Sequence, residues 1–313
     1  MGRKRTTLTL LAVILFATSC GKPTEKEKME QALKNYRKGM ELYQKGDYGG
    51  AAEVLRKAEA GMAYLSPEQI RQLKYRLALA LYKEGKYEDA ILELEDYISS
   101  YPSAPNLEEA YYYLIKAYLK ISPDPWRDQT YTKKALELIE EFVQQFPNSR
   151  YLPQIEELKE EALKKLALHH FYIAKFYEEY GYYYPAVLRY EYIFFNYPTY
   201  INERELLFHY IKCLYLIPTY ARNKEREFLK KYNELKEKLK EGQVEDKKAA
   251  KKRLEFYLQQ VNRWKKISKE ALQKADKNLQ IYKQKFGEDN YYKILLKIKK
   301  EGKVEESWIE KIL

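Results

Sequence analysis

The sequence contains few of the residues that interrupt helices. Only 12 glycines and 11 prolines occur among its 313 residues, and both residue types are disfavoured in helix interiors. Cysteine occurs twice and histidine three times, so the chain has no Cys/His cluster with metal-ligand spacing. If Cys20 carries a lipid, Cys213 has no partner and an intramolecular disulfide is excluded. The composition therefore favours an all-α chain, and we expect neither a metal nor another cofactor.

The known signatures of catalysis are also missing from the sequence. We find no Gly-rich phosphate loop, no HExxH motif and no nucleophile elbow. His169, His170 and His209 are the only histidines, and the first two are adjacent, so they point to different sides of a helix. The acidic residues lie in charged runs that are typical of solvated helix faces. The sequence therefore predicts that the protein is not an enzyme.

A repeated pattern of alanine, aromatic residue and proline is present instead. In three copies an alanine precedes a proline by twelve residues, with Tyr or Phe just before the proline: Ala90 to Pro102, Ala135 to Pro147 and Ala186 to Pro198. A fourth copy begins at Ala51 and lacks the proline. A glycine precedes three of the alanines by five residues, at Gly46, Gly85 and Gly181. This pattern resembles the tetratricopeptide repeat and predicts a helical-hairpin solenoid of about five repeats.

The N-terminus has the features of an export signal. Three basic residues at positions 3–5 precede a mostly apolar run over residues 8–16 that is too short to span a bilayer. Small residues then lead to Cys20, which resembles the lipidated cysteine of bacterial lipoproteins, although Ala17 replaces their usual leucine. An ordinary secretory signal that ends near a chance cysteine is the alternative. We predict a signal peptide over residues 1–19, lipidation of Cys20 and a tether over residues 20–28.

Charge divides the remaining chain into two parts. Residues 20–221 carry a net charge of −3, whereas residues 222–313 carry +11. We therefore predict a repeat solenoid over residues 29–221, with its last turn at Ile217-Pro218, and a basic helical C-terminal extension over residues 222–313. Within the extension, one long amphipathic helix is predicted up to Phe286, followed by short helices at 291–300 and 305–312. The extension either caps the solenoid or presents a basic surface to an acidic partner or to anionic head groups.

Binding is more plausible than catalysis for a fold of this kind. The first helix of each repeat lines the concave surface, and the repeat register predicts which of its side chains face the groove. Tyrosine at these positions would give a rigid amphipathic wall suited to an extended peptide with aromatic side chains. The alternative is that the same tyrosines pack between repeats. The predicted groove residues are Tyr36, Met40, Tyr43, Tyr75, Leu79, Tyr82, Tyr112 and Leu119.

The order of these features resembles one family over about residues 17–220. The fourth repeat carries the most specific pattern, in which Ala174, Tyr177, Gly181, Ala186, Val187, Arg189 and Tyr197-Pro198 follow one another. Together with the lipoprotein-type Cys20, this is similar to the BamD-type outer-membrane assembly lipoproteins, also known as competence-lipoprotein homologues. The extension 222–313 is longer than the resemblance leads us to expect.

The resemblance implies a non-enzymatic part of the machine that folds and inserts β-barrel proteins. The protein would be lipid-anchored on the periplasmic face of the outer membrane. Its N-terminal repeats would bind unfolded outer-membrane proteins, and its C-terminal repeats would dock the POTRA domains of the barrel-forming insertase, BamA. Nucleic acid is not an expected partner of an exported chain. The alternative is a periplasmic tetratricopeptide adaptor of cell-envelope division or peptidoglycan-linked complexes.

Overall fold

The computed structural model describes residues 23–304, and the regular structure within that range is entirely helical. The predicted signal peptide, Cys20 and the helix predicted at 305–312 lie outside the described residues. A short 3-10 turn, Met62–Tyr64, lies between the second and third helices. The described α-helices are α1 (Glu25–Gln44), α2 (Tyr48–Glu59), α3 (Pro67–Glu84), α4 (Tyr87–Ser100), α5 (Leu107–Ile121), α6 (Thr130–Gln145), α7 (Leu152–Glu179), α8 (Tyr183–Asn196), α9 (Glu203–Lys240), α10 (Lys247–Phe286) and α11 (Asn290–Glu301).

The helices belong to two compact units, divided between Pro102 and Ser103. In the first unit α1 pairs with α2 and α3 pairs with α4, and α2 also packs against α3. The Thr24 side chain and Glu27 form a capping box that begins α1 at Glu25, so the second half of the predicted tether is helical. In the second unit each helix from α5 to α10 packs against the next one along the chain. The described residues thus form five consecutive helical hairpins, followed by α11.

The hairpins close at the alanines that the sequence pattern identifies. Each of these alanines lies near the start of the second helix of its hairpin, and all four are 0% exposed: Ala51, Ala90, Ala135 and Ala186. The turn before three of them needs a left-handed backbone, and Gly85, for example, has a φ of 89°. Glycine adopts this conformation without steric strain. The prediction of an all-α, tetratricopeptide-type helical-hairpin fold is confirmed.

The turn that we predicted at Ile217-Pro218 is wrong. Pro218 lies inside α9, which continues without interruption from Glu203 to Lys240. Proline inside a helix costs about 3 kcal/mol, because it lacks the N–H that bonds to the preceding turn. Here the flanking residues Leu214 to Ile217 and Ala221 are buried. Burial of this apolar surface on both sides of Pro218 offsets the cost. Tertiary packing therefore keeps α9 continuous, although proline on its own tends to end a helix.

The C-terminal extension contains two different parts. The boundary that we placed after residue 221 falls within α9, and α10 packs along α9. The second half of α10 and α11 share one buried core with α8 and α9, to which they contribute Ala271, Ala275, Leu279, Tyr282, Ile294, Leu295 and Ile298. This part covers the last hairpin as a cap. In contrast, only Ala250 and Val261 are buried within residues 222–266, where α9 and α10 form a thin two-helix hairpin.

Candidate functional site

The predicted groove residues of the first unit differ in how far their side chains are exposed to solvent. Tyr75 and Leu79 are only 6% and 1% exposed, and Tyr36 is 9% exposed. The Tyr75 ring lies 5.3 Å from the ring of Tyr97 on α4, and the Tyr36 hydroxyl donates to Gln72 Oε1 at 2.8 Å. For these three residues the structure shows the alternative arrangement, in which the side chains pack within the helical stack. Met40 is half-buried and packs against the core formed by α1, α2 and α3.

The half-buried Tyr43 lies in a mixed aromatic and cationic cluster on the same unit. The guanidinium carbon of Arg76 lies 4.9 Å from the centroid of the Tyr43 ring, and Tyr48 packs edge-on against that ring at 5.4 Å. The Lys83 ammonium lies 4.9 Å from the Tyr48 ring. Tyr82, also half-buried, packs edge-on against Tyr87 of α4. Aromatic surface and positive charge are therefore adjacent, and we call Tyr43, Tyr48, Arg76, Tyr82 and Lys83 the Tyr43 cluster.

The two predicted groove residues of the second unit do not share one environment. Tyr112 is half-buried, and its ring stacks on Tyr151 with centroids 5.3 Å apart. Leu119 is only 7% exposed. In that unit, Tyr112 is therefore the more accessible of the two to a ligand.

The long loop between α5 and α6 is tightly held by its own polar side chains. Gln129 is 2% exposed, and its amide nitrogen donates to the carbonyl oxygens of Pro123, Asp124 and Arg127 at 2.9–3.3 Å. From α7, the His169 Nδ1 nitrogen donates to the Pro125 carbonyl at 2.7 Å. These bonds give the loop a defined path over α7.

The loop presents an aromatic residue that the sequence analysis did not identify. Trp126 is 62% exposed and packs edge-on against Tyr172 of α7 at 6.0 Å. Phe176 and Tyr180 follow at helical spacing, are 53% and 66% exposed, and have ring centroids 4.6 Å apart. Four aromatic side chains thus form an exposed stripe, the α7 aromatic surface. Its signal in the sequence was the i, i+4, i+8 spacing of Tyr172, Phe176 and Tyr180.

A buried cluster of charged groups connects α7, α8 and α9. The Glu178 carboxylate accepts hydrogen bonds from Lys212 Nζ at 2.7 Å, His209 Nδ1 at 2.9 Å and the Tyr190 hydroxyl at 2.7 Å. Glu178 and Lys212 are 7% and 8% exposed, and Tyr190 is fully buried. The thiol of Cys213 is buried in the same core. No substrate has access to this cluster, so we assign it a structural role.

The partners of Glu178 set its protonation state. Burial alone would raise the pKa of this carboxyl group, but the hydrogen bond and charge of His209 and the charge of Lys212 outweigh burial and lower the pKa to about 2. The carboxylate is therefore ionised in the folded protein. Because this pKa lies below the unfolded value of about 4.5, the ionised group stabilises the fold fully above pH 4.5. That stabilisation, about 3 kcal/mol, is lost as the pH falls from 4.5 towards 2.

Residues 23–304 contain neither a metal-type cluster nor a membrane-spanning helix. No group of three or more His, Cys, Asp or Glu side chains is arranged to hold a metal ion. None of the helices in that range combines the length and the apolar character that crossing a bilayer requires.

Comparison with known proteins identifies the family. The sequence model of YfiO, described as an outer membrane lipoprotein, matches residues 28–229. The chain belongs to the YfiO family of outer membrane lipoproteins. A relative from Aquifex aeolicus (strain VF5), provisionally named outer membrane protein assembly factor BamD, is 43% identical over 306 residues, which cover 97% of this chain and 100% of the relative. That alignment therefore includes most of the C-terminal extension, which lies largely beyond the YfiO match.

More distant relatives in sequence agree with this family, whereas the similarity to solved structures is weak. The outer membrane protein assembly factor BamD of Caulobacter vibrioides is 28% identical over 153 residues, covering 47% of this chain and 50% of that protein. The crystal structure of the P58(IPK) TPR domain covers 93% of this chain and 71% of its own, with 14% identity and a TM-score of 0.36. That score is too low to carry an argument. The YfiO family and its BamD relatives support association with the outer membrane and a role in assembling its proteins.

The buried cluster around Glu178 gives a direct test of the packing of α7 on α9. Replacing Lys212 with Met leaves the carboxylate short of one charged partner in the core, and breaking a buried pair in this way costs about 3–5 kcal/mol. We expect urea unfolding, followed by circular dichroism at pH 7, to show a destabilisation of about 3 kcal/mol, since His209 still contacts Glu178. The Glu178→Gln variant should also lose the part of the pH dependence between 4.5 and 2 that the Glu178 carboxylate contributes, so its stability should depend less steeply on pH than that of the wild type.

The matched control lies on the same helix. Lys230 and Glu234 form an ion pair at 3.9 Å, with side chains 79% and 58% exposed. Because exposed pairs contribute little, Lys230→Met should change the free energy of unfolding by less than about 0.5 kcal/mol. Equal effects of the two substitutions would show that the Glu178 cluster does not hold α7 to α9.

Proposed function

We propose that this chain is a non-enzymatic scaffold of the machine that folds and inserts β-barrel proteins into the outer membrane. The observation that carries the proposal is the match to the Aquifex aeolicus BamD relative over 97% of the chain. The Glu178 cluster is buried and its polar groups bond to one another, so the scaffold proposal gives this cluster a structural role. Lipidation of Cys20 would hold the protein at the periplasmic face of the membrane, where several acyl chains give stable anchoring.

The Tyr43 cluster is the proposed site for unfolded barrel segments. Tyr36, Tyr75 and Leu79 are buried. The proposed contact residues in this unit are therefore the half-buried Met40, Tyr43 and Tyr82. A substrate aromatic ring can pack on these tyrosines, while the Arg76 guanidinium beside Tyr43 can pair with a carboxylate. The site is therefore suited to the end of a chain that combines an aromatic side chain with a free C-terminal carboxylate.

Peptide binding tests this site. We expect a peptide with a C-terminal Phe to bind the full chain about ten-fold more weakly after Tyr43→Ala and Tyr82→Ala, because two aromatic contacts are lost. Amidation of the peptide C-terminus should weaken binding to the wild type and should have little effect in the Arg76→Gln variant. Fluorescence anisotropy measures the affinity, and circular dichroism confirms that helicity is retained.

A second aromatic surface supplies the control for this experiment. Tyr172→Ala with Phe176→Ala removes two rings from the α7 aromatic surface, and we expect peptide affinity to stay within about two-fold of the wild type. If this variant loses binding and the Tyr43 variant keeps it, peptides bind the α7 aromatic surface and the groove assignment is wrong.

The last hairpins carry a surface suited to docking a folded partner, as the resemblance implies for the insertase. Phe195 is 87% exposed on α8 and borders a groove of about 440 Å³ that is also lined by Phe194, Leu207, Tyr210 and Ile281. Large exposed aromatic residues beside an apolar depression are typical of protein interfaces. We propose that the POTRA domains of the insertase dock at this groove.

Affinity purification from detergent extracts of the outer membrane tests both the assembly role and this docking site. We expect the tagged wild-type chain to recover a POTRA-bearing β-barrel, and Phe195→Ser to reduce the recovery at least five-fold, since an exposed anchor residue is lost. Leu92→Ser in the first unit, where Leu92 is 66% exposed, is the matched control and should leave recovery unchanged. Recovery of peptidoglycan-linked proteins alone would instead support the adaptor function.

A further inference from the structure

The solvent side of α10 carries a dense set of positive charges. Along its first 24 residues, which span about 36 Å of helix, nine basic side chains are exposed, and all of them except Arg253 lie within one half of the helix circumference. Two acidic residues, Glu255 and Glu270, lie among them. The eight basic residues that share this half form what we call the α10 basic face: Lys247, Lys248, Lys251, Lys252, Arg263, Lys265, Lys266 and Lys269.

This charge is not neutralised within the described part of the chain. Of the eight residues, only Lys266 makes an ion pair there, with Glu270 at 3.8 Å. The remaining seven therefore present uncompensated charge, in contrast to the basic residues of α9, where Lys224 and Lys231 both pair with Glu227. A helix that keeps so much like charge on one side pays an electrostatic penalty, which a ligand of opposite charge would remove.

The composition of the face indicates the kind of ligand. Seven of the eight basic residues are lysine, and lysine is depleted at protein–protein interfaces whereas arginine is enriched. Lysine is a hydrated point charge that suits diffuse attraction to an anionic surface rather than fixed bidentate pairing. An apolar residue accompanies the lysines, because Leu258 lies between Lys251 and Lys265 on one side of the helix and is 40% exposed. Lysines beside an exposed leucine are typical of helices that lie on a membrane surface.

We propose that the α10 basic face binds anionic phospholipid head groups, with Leu258 entering the interfacial layer. This contact would hold the second unit against the membrane that a lipid on Cys20 already reaches. It goes beyond the proposed assembly role and does not rest on binding of substrate or insertase. It also assigns a function to the two-helix hairpin of residues 222–266, which buries few side chains of its own.

Vesicle flotation with the full chain tests the proposal. The chain carries Cys20→Ser, so that binding cannot come from an acyl chain. Vesicles of phosphatidylcholine alone are compared with vesicles containing about one-third phosphatidylglycerol, which gives them a negative surface potential. We expect binding to the anionic vesicles only, and we expect it to weaken steeply as salt is raised.

A matched pair of variants locates the contact. Replacing Lys247, Lys251, Lys265 and Lys269 with Gln keeps good helix formers on α10. Each lysine near an anionic surface contributes about five-fold in affinity, so this variant should bind at least about twenty-fold more weakly. The control replaces four exposed lysines on other helices with Gln, namely Lys34, Lys120, Lys133 and Lys164. It removes the same total charge and should lose less than about three-fold.

These outcomes distinguish binding at the α10 basic face from a general effect of the net charge of the protein. Equal losses in the two variants would overturn the proposal, since net charge alone would then explain binding. Equal binding to neutral and anionic vesicles would also overturn it. If neither vesicle binds the chain, while the four substitutions on α10 reduce recovery of an acidic protein during affinity purification, the face binds protein and the lipid assignment is wrong.

Discussion

Packing of paired helices around four buried alanines is the constraint on which this structure depends. Each alanine is fully buried at the start of a second helix, and a larger side chain there would push the pair apart, because interiors are packed without spare volume. Each hairpin has one apolar face that a single pair cannot cover, so within each unit it packs against the neighbouring hairpin of that unit. The side chains that this packing does not bury form three solvent-facing surfaces. These are the Tyr43 cluster in the first unit, and the α7 aromatic surface and the Phe195 groove in the second.

The second unit adds an ionic constraint to this pattern. Glu178 ends up in the core with three donors around it, and removal of any charged donor leaves a carboxylate that water does not reach. The cluster joins α7, α8 and α9, and α9 in turn supports α10. The cap made by the second half of α10 and α11 therefore depends on a helix whose position the Glu178 cluster helps to fix.

Much of the fold could be predicted from the sequence, because the repeat signal is local. The spacing from Ala186 to Pro198 and the left-handed glycine before it specify a hairpin without reference to distant residues. The Glu178 cluster could not be predicted in this way, since His209 and Lys212 are more than thirty residues further along the chain and no local pattern links them to Glu178. Pro218 misled us because its local cost is offset by packing. The peptide groove itself stays a prediction. The burial of Tyr75 and Leu79 could not be predicted from the repeat register, because it depends on how closely neighbouring helices pack.

Depletion of the protein in living cells tests the central claim most directly. If the chain is a scaffold of barrel assembly, depletion should lower the amount of folded β-barrel proteins in the outer membrane, measured by their heat-modifiable migration on gels, while other outer-membrane lipoproteins stay constant. Restoring the wild-type chain should restore the barrels. Unchanged levels of folded barrels after complete depletion would contradict the account.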